Sequence, residues 1–269
     1  MGAGIAHAFV LAGSRVTVVE RDEPTRDAAA ARVHKYLAAS VERGTTTRTE
    51  AELRDALTTG VDVAGFDGCE LVVEAVPEDR ALKTHALRRV EDVVGAGTAV
   101  ASNTSSISIG ALASELARPQ RVIGLHFFNP VPASTLVEIV EGPATEPALT
   151  ASARGWVAGI GKTPIVVQDS PGFASSRLGV ALGLEAIRML EEGVASAEDI
   201  DAAMALGYKH PMGPLRLTDL VGLDVRLGIA EYLSSQLGER FAPPALLRSM
   251  VAEGKLGAKS GQGFYAWKD

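Results

Sequence analysis

Short apolar runs rich in β-branched residues alternate with helix-forming segments through the first 168 residues, and this alternation constrains the fold more than any other feature of the sequence. The runs are RVTVVE (15–20), ELVVEAV (70–76), TAVASN (98–103), RVIGLHFF (121–128), LVEIVEG (136–142) and PIVVQD (164–169). The intervening helices are predicted at 3–12, 24–43, 79–94 and 147–160. Repeated strand–helix–strand units predict an α/β, doubly wound, mainly parallel sheet covered by helices on both faces.

The pattern changes at Ser170-Pro171-Gly172, after which no further strand is predicted until the end of the chain. Apolar residues recur at helical spacing over 172–192, and Ser196 with Asp199 has the pattern of a capping box. Further helices are predicted over 215–237 and 243–253. We therefore expect two domains, a doubly wound domain over 1–168 and a smaller all-helical domain over 169–269.

Composition excludes several classes of protein. With 46% hydrophobic and 22% charged residues the chain is globular, and a net charge of −7 without a basic stripe argues against nucleic acid as a partner. No apolar stretch reaches the ~18–20 residues that span a bilayer. The one cysteine, Cys69, allows no internal disulfide and is expected to be a small core residue, which suits a cytoplasmic protein. We expect no metal site.

The amino terminus resembles the second half of a dinucleotide-binding fingerprint. A Rossmann site has a strand, then G-x-G-x-x-G opening a helix, then an acidic residue at the end of the second strand. Gly2 stands at the third glycine position, and Glu20 ends the strand at 15–20. A carboxylate there would bind ribose hydroxyls and repel a 2′-phosphate, which predicts NAD rather than NADP. The alternative is that Glu20 is a solvated turn residue.

The first strand and the first two glycines of that fingerprint are absent from the sequence. This strand is central in a doubly wound sheet and would lie between the strands at 15–20 and 70–76. Without it, we expect these two strands to face each other across an empty slot, each with unpaired backbone groups. Our hypothesis is that the native protein starts upstream and that Met1 is an internal methionine. The chain as numbered is then expected to bind NAD weakly.

Two segments carry candidate catalytic residues. Ser102–Ser106 follows a buried strand, at the edge where open α/β sheets bind ligands, although such a run can also cap a helix near 108–117. His126 lies inside an apolar run, where a lone histidine is more often a core residue. Glu138 lies inside the next apolar run, and a buried carboxylate is costly unless paired. We predict a hydrogen-bonded His126–Glu138 pair that acts as a general base.

The motifs SNTSS, GLHFFNPVP, LVEIVEG, DSPGF, HPMGP, VGLD and GQGFYAW occur in this order. Together they resemble the 3-hydroxyacyl-CoA dehydrogenase family over essentially the whole chain. The resemblance implies a Rossmann domain for NAD, a helical domain that forms a homodimer, and oxidation of an (S)-3-hydroxyacyl-CoA to a 3-ketoacyl-CoA in fatty-acid β-oxidation. Short substrates such as 3-hydroxybutyryl-CoA are expected. A gulonate-type sugar-acid dehydrogenase and a non-catalytic binding protein on the same fold are the alternatives.

The resemblance also implies roles for individual residues. His126 resembles the catalytic base, Glu138 the acid that orients it, and Ser105 the serine that contacts substrate. Residues resembling the cofactor site are Glu20 at the ribose, and Glu78, Lys83 and Asn103 on the nicotinamide side. For Glu78 and Lys83 the alternative is a pair of solvated charges at the start of a helix.

Two parts of the substrate site are less clearly marked. Ser176 stands where the family often has Asn in PGF-x-x-N-R, and its shorter reach suggests an altered substrate preference. We expect it to face the same cleft as Ser105 and His126. Lys35 and Arg43 are candidates for binding CoA, although each is individually more typical of a solvated helix face.

Overall fold

The computed structural model describes residues 1–267, and the chain divides into two compact units, Met1–Ser170 and Pro171–Asp269. The strands of the first unit are β1 (Val16–Val19), β2 (Leu57–Gly60), β3 (Leu71–Glu74), β4 (Ala99–Ser102), β5 (Val122–Phe127), β6 (Leu136–Glu141) and β7 (Thr163–Gln168). Its helices are α1 (Gly2–Leu11), α2 (Glu23–Glu42), α3 (Glu50–Asp55), α4 (Arg80–Glu91), α5 (Ile109–Ala113) and α6 (Pro147–Gly159). The predicted α/β class is confirmed.

The strands form two hydrogen-bonded sheets. One is a five-stranded sheet in the order β3-β4-β5-β6-β7, and the other pairs β1 with β2. All neighbours are parallel except β5 and β6, which run antiparallel. Within residues 1–267, β1 and β3 are not paired with each other, as expected from the sequence. Strand β2 was not predicted, because LTTG lacks an extended apolar run.

The central strands are buried along their whole length, which is typical of a sheet covered on both faces. Their apolar side chains pack with α1 and α6, and fully buried members of this core include Ile123, Leu125, Val137, Ile139 and Leu149. Burying each such side chain contributes about 1.5–3 kcal/mol. This core fixes the carboxyl ends of β3, β4 and β5, where the candidate site residues lie.

The second unit is helical, with α7 (Ser175–Glu191), α8 (Ala197–Ala202), α9 (Pro214–Val221), α10 (Leu223–Leu237) and α11 (Ala245–Ala252). The Ser196 hydroxyl accepts a hydrogen bond from the Asp199 backbone N–H (3.1 Å), so the serine half of the predicted capping box is confirmed. The Asp199 carboxylate accepts from the Ser196 hydroxyl (2.9 Å) rather than from the Ser196 backbone. The single helix predicted over 215–237 is wrong. Gly222 has φ of 101°, and this left-handed backbone separates α9 from α10.

The expectation for Cys69 was also wrong. The residue is half-buried in the turn before β3 rather than in the core, and its carbonyl accepts a hydrogen bond from the Thr98 hydroxyl at 2.7 Å. Burial raises the pKa of the Cys69 thiol. In the described part of the chain, none of the helices has the length and apolar character required to cross a bilayer.

Candidate active site

His126 and Glu138 lie directly opposite each other on the antiparallel strands β5 and β6. Directly opposite residues project from the same face of a sheet, so the two side chains meet. The distance from Nδ1 of His126 to Oε2 of Glu138 is 2.7 Å, and both residues are buried. The ring of Phe128 packs against the imidazole with a centroid distance of 4.5 Å. The predicted contact is confirmed.

This geometry specifies what the imidazole can do. An ionised carboxylate only accepts hydrogen bonds, so Nδ1 of His126 donates to Glu138 and the neutral ring carries its lone pair on Nε2. A lone pair held in this orientation can take a proton from a hydroxyl group. The buried carboxylate then stabilises the imidazolium that forms. The pair has the chemistry of a general base.

Glu78 organises the loop that follows β4. Its Oε1 atom accepts hydrogen bonds from the Thr104 hydroxyl (2.5 Å), the Ser105 backbone N–H (3.0 Å), and the backbone N–H (3.2 Å) and hydroxyl (3.0 Å) of Ser106. The Ser105 hydroxyl lies 3.4 Å from the same oxygen. The position of the candidate substrate serine is therefore set by a carboxylate that follows the neighbouring strand β3.

Lys83 connects Glu78 to a second acid. Its side chain is 1% exposed, and its Nζ lies 2.8 Å from Oε1 of Glu74 and 3.3 Å from Oε2 of Glu78. It also donates to the carbonyl of Val76 at 3.0 Å. The alternative in which Glu78 and Lys83 are solvated charges is wrong for Lys83, because an ammonium group this deeply buried is held by its partners. Glu78 is paired with Lys83 but is 38% exposed, so its carboxylate still reaches solvent.

Glu74 is a residue of this network that the sequence analysis missed. It accepts hydrogen bonds from the Ser102 hydroxyl (2.6 Å) and from the Val76 backbone N–H (2.6 Å). Its signal in the sequence was the one used for Glu138, an acid inside an apolar run, here LVVEAV. The basic partner, Lys83, lies nine positions further along the chain on a helix. The apolar run around Glu74 therefore did not identify Lys83 as its partner.

The environment of Glu78 favours its ionised form. Partial burial raises the pKa of this carboxyl. Hydrogen bonds from Thr104, Ser106 and Ser105, together with the charge of Lys83, lower the pKa by a larger amount. The net pKa therefore lies below the ordinary value for Glu. The loop after β4 is consequently held by a carboxylate that stays charged near neutral pH.

Asn103 links the ends of β4 and β5, because its Oδ1 accepts a hydrogen bond from the Phe127 backbone N–H at 2.9 Å. Its predicted role beside nicotinamide stays a prediction. The helix cap expected from Ser102–Ser106 comes instead from Ser108, whose hydroxyl accepts from the Ala111 backbone N–H (3.0 Å) and donates to Asp169 (2.6 Å). The helix after this cap is only α5, shorter than the predicted 108–117.

The residues predicted to hold a dinucleotide lie at the start of α1 and the end of β1. Helix α1 begins at Gly2 without a side-chain cap, so its first amide groups can meet a phosphate. Glu20 follows β1, and no group within residues 1–267 donates a hydrogen bond to its carboxylate, which can therefore accept from ribose hydroxyls. A Cβ at Gly2 would lie 3.6 Å from that of Ala75, an ordinary contact.

The remaining candidates have fewer contacts. Ser176 is the second residue of α7 and is half-buried, while Lys35 and Arg43 are exposed on and just after α2. Their roles toward substrate and CoA stay predictions. Among the residues that the structure describes, no cluster of three or more His, Cys, Asp or Glu side chains could hold a metal ion.

Comparison with known proteins agrees with this arrangement. The chain is 40% identical to the probable 3-hydroxybutyryl-CoA dehydrogenase of Bacillus subtilis, over 100% of this chain and 94% of that protein. It is 43% identical to the 3-hydroxybutyryl-CoA dehydrogenase of Mycobacterium tuberculosis, over 99% of this chain and 95% of that protein. The structure of (S)-3-hydroxybutyryl-CoA dehydrogenase PaaH1 from Ralstonia eutropha superposes with a TM-score of 0.95 at 37% identity, covering 100% of this chain and 96% of that one.

Family models match almost the whole chain. Residues 1–170 match the NAD binding domain of 3-hydroxyacyl-CoA dehydrogenase, and residues 172–267 match the C-terminal domain of the same family. The two matched regions together carry the His126–Glu138 pair, the Glu78-bound loop and Ser176. The chain belongs to the 3-hydroxyacyl-CoA dehydrogenase family.

Proposed function

We propose that this protein oxidises the 3-hydroxyl group of (S)-3-hydroxyacyl-CoA thioesters with NAD, giving 3-ketoacyl-CoA and NADH. The observation that carries the proposal is the buried His126–Glu138 hydrogen bond of 2.7 Å. A base of this kind suits a reaction in which a hydroxyl proton and a hydride leave the same group. The three relatives compared above are named 3-hydroxybutyryl-CoA dehydrogenase, one of them as probable, and these names support a short acyl chain.

His126 takes the hydroxyl proton, and Glu138 holds the imidazole and stabilises its charge. The Ser105 hydroxyl donates a hydrogen bond to the substrate oxygen. The loop bound by Glu78 holds Ser105 in place for this contact. Ser176 is proposed to contact the substrate as well, in the place where the family often has Asn. Lys35 and Arg43 are proposed to contact CoA, because both are exposed cations on or beside α2.

NAD fits the residues at the dinucleotide edge. Gly2 at the start of α1 can meet a phosphate, and the carboxylate of Glu20 can accept hydrogen bonds from a ribose. Glu78 and Asn103 follow β3 and β4, at the edge where α/β sheets bind nicotinamide cofactors, and the side chain of Lys83 on α4 reaches the end of β3. When bound, NAD supplies the hydride acceptor of the reaction.

We also propose that the protein is a cytoplasmic homodimer formed through its helical unit. Several large apolar side chains of this unit are exposed, among them Leu178 (70%), Leu206 (73%), Leu220 (48%) and Val225 (45%). An all-helical unit of about a hundred residues buries a limited core by itself, and exposed apolar side chains of this kind mark interaction surfaces. A single cysteine suits the reducing cytoplasm.

The test is NADH formation with NAD and a series of 3-hydroxyacyl-CoA thioesters of increasing length, with gulonate as the comparison substrate. We expect turnover with the thioesters, highest for the short ones, and none with gulonate. Oxidation of gulonate without oxidation of any thioester would overturn the proposal in favour of a sugar-acid dehydrogenase. NAD binding without turnover of either substrate class would favour a non-catalytic protein on the same fold.

A further inference from the structure

Lys162 is a lysine of the first unit that binds backbone oxygens instead of an acid. Its Nζ atom donates a hydrogen bond to the carbonyl of Val131 at 2.7 Å and another to the carbonyl of Ser134. Over residues 1–267 this ammonium group forms no salt bridge. Burial lowers the pKa of Lys162, because the charge is partly withdrawn from water. The charge of this side chain therefore serves two carbonyl groups of a single loop.

The backbone of Lys162 is held by regular structure on both sides. Its N–H donates to the carbonyl of Val157 in α6 at 3.1 Å, and Gly161 takes a φ of 72° that ends this helix. The next residue, Thr163, begins β7, which pairs with β6 along its whole length. The ammonium group is thus presented to the loop from a fixed support.

The loop that Lys162 binds, residues 129–135, connects β5 to β6 and packs against the first turn of α1. Val131 of this loop is 2% exposed. A Cβ at Gly4 would lie 2.8 Å from the Cβ of Val131, closer than such atoms normally approach, so a larger residue at Gly4 would displace one of the two segments. The loop and the start of α1 are therefore in direct contact, and the position of one determines the position of the other.

The catalytic pair is held without this loop. His126 lies inside β5 opposite Glu138 of β6. Phe127, the last residue of β5, donates its backbone N–H to Oδ1 of Asn103 at 2.9 Å. Neither contact involves residues 129–135, so a shift of the loop should alter the first turn of α1 more than it alters the base.

We propose that Lys162 is a positioning residue for the cofactor, which holds Val131 against Gly4 and so fixes the first turn of α1 for NAD. This turn begins at Gly2, the residue proposed to meet a phosphate of the dinucleotide. Lys162 acts through the loop and does not itself contact NAD or the thioester. The inference rests on the proposed function, because it assigns a role toward the cofactor of that reaction.

The first experiment measures NAD affinity of the whole protein by calorimetric titration without a thioester. Lys162→Met keeps a long side chain but removes the charge and the donors. We expect the Kd for NAD to rise about tenfold, a fraction of what two hydrogen bonds from a charged group contribute. Lys162→Arg retains charge and donors and should recover most of the wild-type affinity. Lys255→Met, which removes a lysine side chain that is 45% exposed, is the matched control and should leave the Kd unchanged.

Steady-state kinetics separates positioning of the cofactor from a general loss of structure. Lys162→Met should raise the KM for NAD by a factor similar to that of the Kd. The value of kcat at saturating NAD, and its dependence on pH, should stay close to those of the wild type, because His126 and Glu138 keep their contact. A fall in kcat with an unchanged KM for NAD would overturn the proposal.

Hydrogen exchange in the protein without NAD reports on the loop directly. The backbone N–H groups of Ala133 and Ser134 donate to the carbonyl of Pro130 at 3.0 Å and 3.1 Å. Both amides should exchange faster in Lys162→Met than in the wild type, whereas the Phe127 amide should keep its protection. Equal exchange of the loop amides in the two proteins would show that Lys162 does not hold the loop.

A double-mutant cycle tests whether Lys162 acts through the contact with α1. Gly4→Ala places a Cβ where it displaces Val131, so this variant should also weaken NAD binding. Because both substitutions disturb one contact, their combined effect on the Kd should be smaller than the product of the separate effects. Separate effects that multiply fully would overturn the proposal.

Two further outcomes separate the inference from its alternatives. If Lys162→Met weakens NAD binding but the wild-type protein oxidises no thioester, the positioning role stands and the proposed function fails. If Lys162→Met lowers the free energy of unfolding and leaves the Kd for NAD unchanged, Lys162 stabilises the fold alone and the proposal is overturned.

Discussion

Lys83 and Glu74 form an ion pair that is almost wholly withdrawn from water, with Nζ 2.8 Å from Oε1 and side chains 1% and 2% exposed. The same ammonium group lies 3.3 Å from Glu78, whose other carboxylate oxygen holds the loop carrying Ser105. One buried cation thus joins the carboxyl end of β3 to the loop after β4. The relationship explains how Ser105, the residue proposed to contact the substrate, is held in a fixed position within a loop.

Removing this cation should destabilise the protein. Lys83→Met leaves Glu74 buried without its partner, and breaking a buried ion pair from one side costs about 3–5 kcal/mol. The free energy of unfolding from urea titration would measure the loss. Lys35→Met, which removes an exposed lysine on α2, is the control and should change stability by no more than about 0.5 kcal/mol. Similar small changes in both variants would show that Lys83 does not stabilise the fold.

The contribution of Glu78 to stability should depend on pH. The pKa of this carboxyl is lowered in the folded protein, so its stabilising effect is fully present above the unfolded-state pKa of about 4.3 and is lost as pH falls through the folded-state pKa. We therefore expect Glu78→Gln to be less stable than the wild type near neutral pH, with the difference shrinking below about pH 4. Urea unfolding of both proteins across this range would test it. A difference that grows on acidification would contradict the assignment.

The buried base should dominate turnover. We expect His126→Ala and Glu138→Gln each to lower kcat by about 10²–10⁴, because the first removes the proton acceptor and the second removes the charge that stabilises it. Stopped-flow measurement of NADH formation would provide the rates. Circular dichroism of each variant is the control for folding. Near-normal turnover in both variants would remove the pair from the mechanism.

Ser176 should determine substrate preference rather than activity itself. Serine and asparagine both donate and accept hydrogen bonds but differ in reach, so Ser176→Asn should retain activity and change the ratio of kcat/KM between thioesters of different length. Ser176→Ala removes both hydrogen-bonding functions and is the comparison variant. An unchanged preference in both variants would show that Ser176 does not contact the substrate.

The exposed apolar residues of the helical unit should hold two copies together. Leu220→Glu places a charge on α9 at a position that is 48% exposed, and we expect it to shift the protein from dimer to monomer in light scattering at micromolar concentration. Leu82→Glu, at a position that is 42% exposed on α4, is the matched control and should leave the mass unchanged. A monomeric wild-type protein would contradict the proposed homodimer.

Local patterns in the sequence determined much of this protein. Strands β1, β3, β4, β5, β6 and β7 and helices α1, α2, α4 and α6 were predicted from short apolar runs that alternate with helix-forming segments. A parallel sheet covered on both faces requires strands that are apolar along their length. The pairing of His126 with Glu138 also followed from the sequence. A carboxylate and an imidazole in neighbouring apolar strands have few partners other than each other.

Only the tertiary structure decided where the other charged groups lie. Lys83 and Arg226 occupy helix positions with ordinary charged neighbours, and the sequence does not show that packing of other elements would bury both. The break at Gly222 and strand β2 likewise depend on surrounding contacts rather than on a local pattern. Periodicity reports which face of an element is apolar, whereas the partner of a long charged side chain is set by chain segments distant in sequence. For this reason only the folded chain revealed the Glu74–Lys83–Glu78 network.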